Sequence, residues 1–141
     1  MKSTIKFIFF FILLNFSNLN AKENIMILKL KTGDVKIELF PDVAPNHVTR
    51  IKDLANSGKY DNVVFHRVID GFMAQTGDVQ FGNSEDNNFN LQRAGMGGSD
   101  LPDLKAEFNN IPHERGTLSM ARSSDPNSAN SQFFICLESA P

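Results

Sequence analysis

The sequence predicts a mostly β domain, a barrel or a sandwich, with one helix inserted early in the chain. Three observations carry that reading. Short apolar or alternating runs recur between turn residues, one segment has helical periodicity, and the stretch from Gly77 to Asp103 is polar, rich in Gly and Asn, and follows neither period. A chain of 141 residues has room for one globular domain, and no internal repeat divides it.

Ile25 to Leu30 is an apolar run, and after Thr32-Gly33-Asp34 the next run alternates Val35, Ile37 and Leu39 with Lys36 and Glu38. Alternation around a Gly-Asp turn predicts a β-hairpin with one buried face. Pro41 breaks the second strand, and Pro45 fits the first turn of a helix, where its missing N–H leaves no bond unmade. Val48, Ile51, Leu54 and Ala55 then share one helical face, and Gly58 is placed to end the helix. Val63 to Val68 and Phe72 to Thr76 read as strands, as do Thr117 to Ala121 and Gln132 to Leu137, the last two separated by the turn-prone Ser123 to Ser131.

The first 21 residues stand apart. Lys2 and Lys6 precede an uninterrupted apolar run from Phe7 to Leu14, and a polar segment follows that ends at Ala21. This is the layout of a secretory signal peptide, and the run is well short of the roughly 20 residues that cross a bilayer. The expectation is a leader over residues 1–21, cleaved to give a mature domain over 22–141 that begins at Lys22, is periplasmic or otherwise exported, and is not inserted in a membrane. The residue directly after the cut is Lys22 and not a Cys, so no lipid anchor has an attachment point. Cleavage removes two lysines and no acidic residue, and takes Phe7, Phe9, Phe10, Phe11 and Phe16 out of the aromatic inventory.

Composition excludes several function classes. With 14 Lys and Arg against 16 Asp and Glu, the net charge of -2 gives no electrostatic footprint for nucleic acid. The single Cys136 can close no disulfide within the chain and build no Cys-rich zinc site. His47, His66 and His113 lie far apart in sequence, with no Cys or carboxylate at the short spacings of a metal centre, so neither metal nor cofactor is expected. Gly95-Met96-Gly97-Gly98 lacks the Lys-Ser/Thr pair of a phosphate loop, and no nucleophile-elbow motif surrounds Ser119 or Ser131, which leaves a hydrolase reading with His66 weak. A monomer is expected.

The most informative stretch is Phe65-His66-Arg67-Val68-Ile69-Asp70-Gly71-Phe72-Met73-Ala74-Gln75-Thr76-Gly77-Asp78. Strand alternation puts His66 and Val68 on one face and Phe65 and Arg67 on the other. Arg67 beside the apolar Phe72 and Met73, with an amide at Gln75, makes an apolar cup with a cationic donor at its rim. The same residues also fit a core pair and a solvated surface charge.

This stretch resembles the signature of the cyclophilin family of peptidyl-prolyl isomerases. Leu118-Ser119-Met120-Ala121, Ser131-Gln132-Phe133-Phe134-Ile135 and the glycine loop Ala94-Gly95-Met96-Gly97-Gly98 resemble further blocks of that family, in its order and approximate spacing, and the resemblance runs from Ile25 to Pro141. Its spacing looks like the bacterial branch, and the leader points to an exported member. The resemblance implies a cyclophilin-like closed β-barrel capped by helices. It implies that Arg67 is catalytic, that Phe72, Met73 and Phe134 hold the substrate proline ring, that Gln75 and Gln132 hold the substrate backbone, and that His66 lines the site. Ala121 and Arg122 stand where the family binds the residue before proline, with Gly95 at the neighbouring rim. Arg122 and Ser123 depart from the Asn and Ala often found there, which bears on the preference for flanking residues.

The implied activity is cis-trans isomerisation of X-Pro bonds in folding polypeptides. Proline-containing polypeptides are the implied partners, and cyclosporin-like cyclic peptides a further ligand class. The alternative is a non-catalytic proline-peptide holder or chaperone with the same pocket. The family's domain continues past the last strand with further strands and a second helix. The resemblance therefore implies that residues 22–141 are a partial domain, incomplete at the C-terminal end and expected to be insoluble or molten when expressed alone.

Overall fold

The computed structural model describes residues 24–140; the expected leader over residues 1–21 lies outside them. β1 (Ile25–Leu30) and β2 (Gly33–Glu38) form the antiparallel hairpin that the Gly-Asp turn predicts, in the register Ile25 opposite Glu38 and Leu30 opposite Gly33. Its buried face is carried by Ile37 and, just beyond the strand, Leu39.

Helix α1 (Pro45–Asn56) follows, with Pro45 in its first turn and Val48, Ile51 and Leu54 buried on one side. Ala44 supplies no side-chain cap, so the free N–H groups of the first turn need a partner from elsewhere. Glu107 supplies it from 60 residues away: its carboxylate accepts from the N–H of Asn46 and of His47, each at 3.0 Å. At the other end, the N–H groups of Gly58 and Lys59 return to the carbonyls of Ala55 and Leu54.

The remaining strands make a second sheet. β3 (Arg67–Ile69), β4 (Met73–Thr76), β5 (Leu118–Met120) and β6 (Phe133–Cys136) are all antiparallel to their neighbours, in the order β3-β4-β6-β5. The strand expected over Val63 to Val68 is displaced to Arg67–Ile69. Val63 makes only an isolated bridge to Asn83, the Val64 N–H donates to the Gly82 carbonyl, and the Val64 carbonyl accepts from the Thr76 hydroxyl, so this backbone is committed before a ladder can begin. Gly77 to Asp103 contains no strand or helix, as its composition predicts.

The mostly β architecture is as expected, while closure into a barrel is not seen among the described residues. Among the described residues the strands form a two-stranded and a four-stranded sheet that share no ladder, and α1 is the one helix. The two sheets face a common core instead: Ile37 and Leu39 from the hairpin side, Val48 and Ile51 from α1 and Phe133 from β6 are buried together, with Leu118, Met120 and Ile135 packed against them. Tyr60 meets the Phe133 ring edge-on, 5.5 Å between centroids, and its hydroxyl donates to the Ser131 carbonyl at 2.7 Å. Burial pushes the Tyr60 phenol well above its ordinary pKa, with the nearby Arg50 opposing. Arg50 itself is buried and donates to the carbonyls of Pro102 and Asn130, tying α1 to the two long loops.

Candidate active site

Side chains directly opposite in an antiparallel ladder point to the same side of the sheet. Arg67 is opposite Gln75, Gln75 opposite Phe134, and Phe134 opposite Ser119, so these four form one row across all four strands. Met73 and Cys136 belong to the next row on that face. Phe133 and Ile135 point the other way, into the core. β6 therefore separates two adjacent phenylalanines: Phe133 is 2% exposed, whereas Phe134 is half-buried with its ring 5.7 Å from that of His113.

A cavity of about 980 Å³ has Arg67, Phe72, Met73, Gln75 and Phe134 in its wall and runs round the edge strand β5, past Ala121 and Arg122, to the hairpin and α1, where Ile37, Val48, Ile51 and Ile135 also line it; the candidate site is the part on the Arg67 face. Phe72 is exposed at the β3–β4 turn, and its N–H closes that turn on the Ile69 carbonyl. Arg67 is exposed and has no carboxylate at ion-pair distance among the described residues, so its charge is free to meet a ligand.

A directed chain of amides stands behind Arg67. Its guanidinium donates to Gln75 Oε1 across a long 3.4 Å; Gln75 Nε2 donates to Gln132 Oε1 at 2.9 Å; Gln132 Nε2 donates to the carbonyls of Gly95 and Gly97 at 2.9 and 2.7 Å. The glycine loop is fixed from beneath by Asp78, which is fully buried. Its Oδ2 accepts from the N–H of Gly95 and Gly97, and its Oδ1 from those of Gln80 and Phe81. Glycine is required at both loop positions. Gly95 has φ +98 and a Cβ there would lie 2.5 Å from the His66 ring, while one on Gly97 would lie 2.7 Å from Gln80 Oε1 and 2.8 Å from Asp78 Oδ1.

His66, Gln132 and Gly95 do not line this cavity; Gln132 reaches it only through its bond to Gln75. The ring nitrogens of His66 are buried and make no hydrogen bond. Burial holds its pKa below the usual imidazole value, with Arg67 adding to the effect and the Asp78 charge and Gln132 side chain opposing it. Arg122 is exposed at the rim, donates to the Ser123 carbonyl and lies 5.8 Å over the exposed Phe108 ring. The sequence reading assigned no role to Asp78, His113 or Glu107. His113 enters there only as a metal-ligand candidate, Asp78 ends the Phe65-to-Asp78 stretch with no role of its own, and Glu107 sits in no motif.

Residues 25–141 match the family model described as cyclophilin type peptidyl-prolyl cis-trans isomerase/CLD. The chain belongs to this family. Among curated cyclophilin relatives, it is 61% identical over 119 residues to a probable peptidyl-prolyl cis-trans isomerase of Brucella suis, covering 84% of this chain and 60% of that one. It is 39% identical over 104 residues to peptidyl-prolyl cis-trans isomerase B of Escherichia coli, covering 73% and 56%. The chain thus spans about 60% of the length of the Brucella relative. Solved cyclophilin structures share the fold. One from Hirschia baltica superposes with a TM-score of 0.67 at 28% identity, covering 84% of this chain and 59% of that one. One from Cryptosporidium parvum, obtained in the presence of the dipeptide Ala-Pro, gives 0.68 at 33%, covering 82% and 68%.

Proposed function

We propose that this protein is a peptidyl-prolyl cis-trans isomerase acting on X-Pro bonds of unfolded or flexible polypeptides. The observation that supports this best is the row Arg67–Gln75–Phe134: a cation with no carboxylate at ion-pair distance among the described residues, beside an aromatic wall, in a chain of the cyclophilin family. Rotation about an X-Pro bond must overcome amide resonance, a barrier of about 18–20 kcal/mol. No covalent bond is made or broken. In the twisted peptide the prolyl nitrogen becomes pyramidal and regains a lone pair, so a donor aimed at it favours that state over both planar isomers, which is the differential binding that accelerates a reaction.

In this reading Arg67 is the donor. Phe72, Met73 and Phe134 hold the proline ring, Gln75 and Gln132 hold the substrate backbone, and His66 backs the site. Ala121, Arg122 and Gly95 meet the residue before proline. The Ala-Pro dipeptide named with the Cryptosporidium structure fits the same substrate class. Cyclosporin-like cyclic peptides are a further ligand class of this pocket. The signal layout of residues 1–21 supports export to the periplasm or beyond, with a mature N-terminus at Lys22, to be checked by N-terminal sequencing of protein from fractionated cells.

A protease-coupled assay on a short X-Pro peptide tests the activity. An enzyme accelerates the slow phase in proportion to its concentration. A proline-peptide holder leaves the relaxation rate unchanged, and that result would overturn the proposal.

A further inference from the structure

We propose that Asp78, buried behind the cleft, is a positioning residue that sets the direction of the amide chain ending at Arg67; this rests on the isomerase reading of that face. A glutamine amide can point either way, and its orientation is decided by what stands at its ends. At the far end of this chain stand two carbonyls, of Gly95 and Gly97, which can only accept. They fix the NH2 group of Gln132 on their side and so turn its oxygen to Gln75. That oxygen in turn fixes the NH2 group of Gln75, leaving Gln75 Oε1 to face Arg67.

The carbonyls face this way because the N–H groups of the same two glycines are held by one carboxylate oxygen of Asp78, at 2.7 and 3.0 Å. The other oxygen is occupied by Gln80 and Phe81, so every donor near this fully buried charge is a backbone N–H, and none of the ion pairs among the described residues reaches it. An acceptor at both oxygens is what the loop requires. Without it the loop carbonyls lose their aim, Gln132 and Gln75 become free to flip, and an NH2 group can face the guanidinium where an acceptor stood. Asp78 touches no substrate; it acts through Gln132 and Gln75.

Asp78→Asn keeps the shape but turns an NH2 group against backbone donors. Gly97→Ala places a methyl against both Gln80 and Asp78 Oδ1 from the loop side, which gives a second route should the first variant fail to fold. Each is made in the full chain, alone and together with Gln75→Ala, with folding checked by thermal unfolding. The proposal predicts that either folded variant lowers kcat/KM about tenfold, the size of one lost hydrogen bond in the chain. It also predicts that the loss becomes smaller when Gln75 is already alanine, because the route to Arg67 is then cut and only the part carried by Gly95 and Gln132 remains. A general structural role would give the same loss in both backgrounds. The side-chain amide NMR signals of Gln75 and Gln132 give a readout that needs no activity, and both should move in the Asp78→Asn or Gly97→Ala protein. If the parent shows no isomerase activity, the functional reading fails and these signals alone decide the relay. Amide signals that stay in place, undiminished kcat/KM in every folded variant of an active parent, or a loss of equal size with and without Gln75 would overturn the proposal.

Discussion

Phe133 and Phe134 are neighbours in sequence on opposite faces of β6, and replacing each by alanine separates packing from binding. Phe133 is 2% exposed and packs with Ile37, Leu39, Val48, Ile51 and the edge of Tyr60. Its removal leaves a cavity at the centre of the one core that joins the hairpin, α1 and the sheet, and should cost about 3–5 kcal/mol of stability. Phe134 is half-buried on the cleft face and has one aromatic neighbour, His113, at 5.7 Å. Half the burial and one aromatic contact put its stability cost at about 1–2 kcal/mol. The binding effect runs the other way. Phe134→Ala removes one wall of the cup and should raise the KM for an X-Pro peptide by about tenfold, whereas any Phe133→Ala protein that folds should bind with near-parental affinity. Urea unfolding midpoints and peptide titrations on the two variants supply both readings. Equal destabilisation by the two changes, with peptide affinity untouched in Phe134→Ala, would show that Phe134 is simply core and would refute the division of faces.

Two further predictions concern ionisable groups. Burial pushes the Glu107 carboxyl up, but the bonds from His47 and Asn46 outweigh it and leave its pKa below the ordinary value of 4.5. Its capping contribution is therefore present above pH 4.5 and lost as the pH falls through the lower folded value. Glu107→Ala should destabilise by about 1 kcal/mol at neutral pH and remove that acid dependence, both read from urea unfolding across pH. His66 has a folded pKa below 6.5, so as the pH drops past 6.5 the unfolded chain takes up a proton that the folded chain refuses. Stability should fall over that interval and the slope should vanish in His66→Asn; a slope unchanged by the substitution would assign it to other groups.

The hairpin, α1, β4, β5 and β6 were legible because each carries its period locally, and Pro45 and the Gly33-Asp34 turn mark boundaries through backbone chemistry alone. β3 was misplaced because Val63 and Val64 have strand-like side chains, while the Val63 N–H is taken by the Tyr60 carbonyl and the backbone groups of Val64 by Gly82 and Thr76. The closed barrel was implied by resemblance, and sheet closure depends on ladders between strands far apart in the chain, which no local pattern records. In the site, the aromatic and cationic residues were visible as a cup in Arg67-to-Gln75. Asp78 was not, since an aspartate after a glycine reads as a turn residue until the loop carrying Gly95 and Gly97 folds over it. Glu107 was hidden for the same reason: a cap supplied from 60 residues away leaves no capping motif beside the helix.

The central claim is that the Arg67 guanidinium accelerates rotation by stabilising the twisted prolyl amide. The most direct test is the protease-coupled rate of an X-Pro peptide for the parent, Arg67→Ala and Arg67→Lys proteins, each shown to be folded by its unfolding transition. Arg67 is exposed and contributes only a long contact to Gln75, so neither change should alter stability by more than about 0.5 kcal/mol. Loss of a donor that acts mainly in the transition state should lower kcat/KM by about 100-fold or more in Arg67→Ala. Lysine keeps the charge without the planar fork that aims it, and should recover only a small part. A folded Arg67→Ala protein with parental kcat/KM would contradict the account.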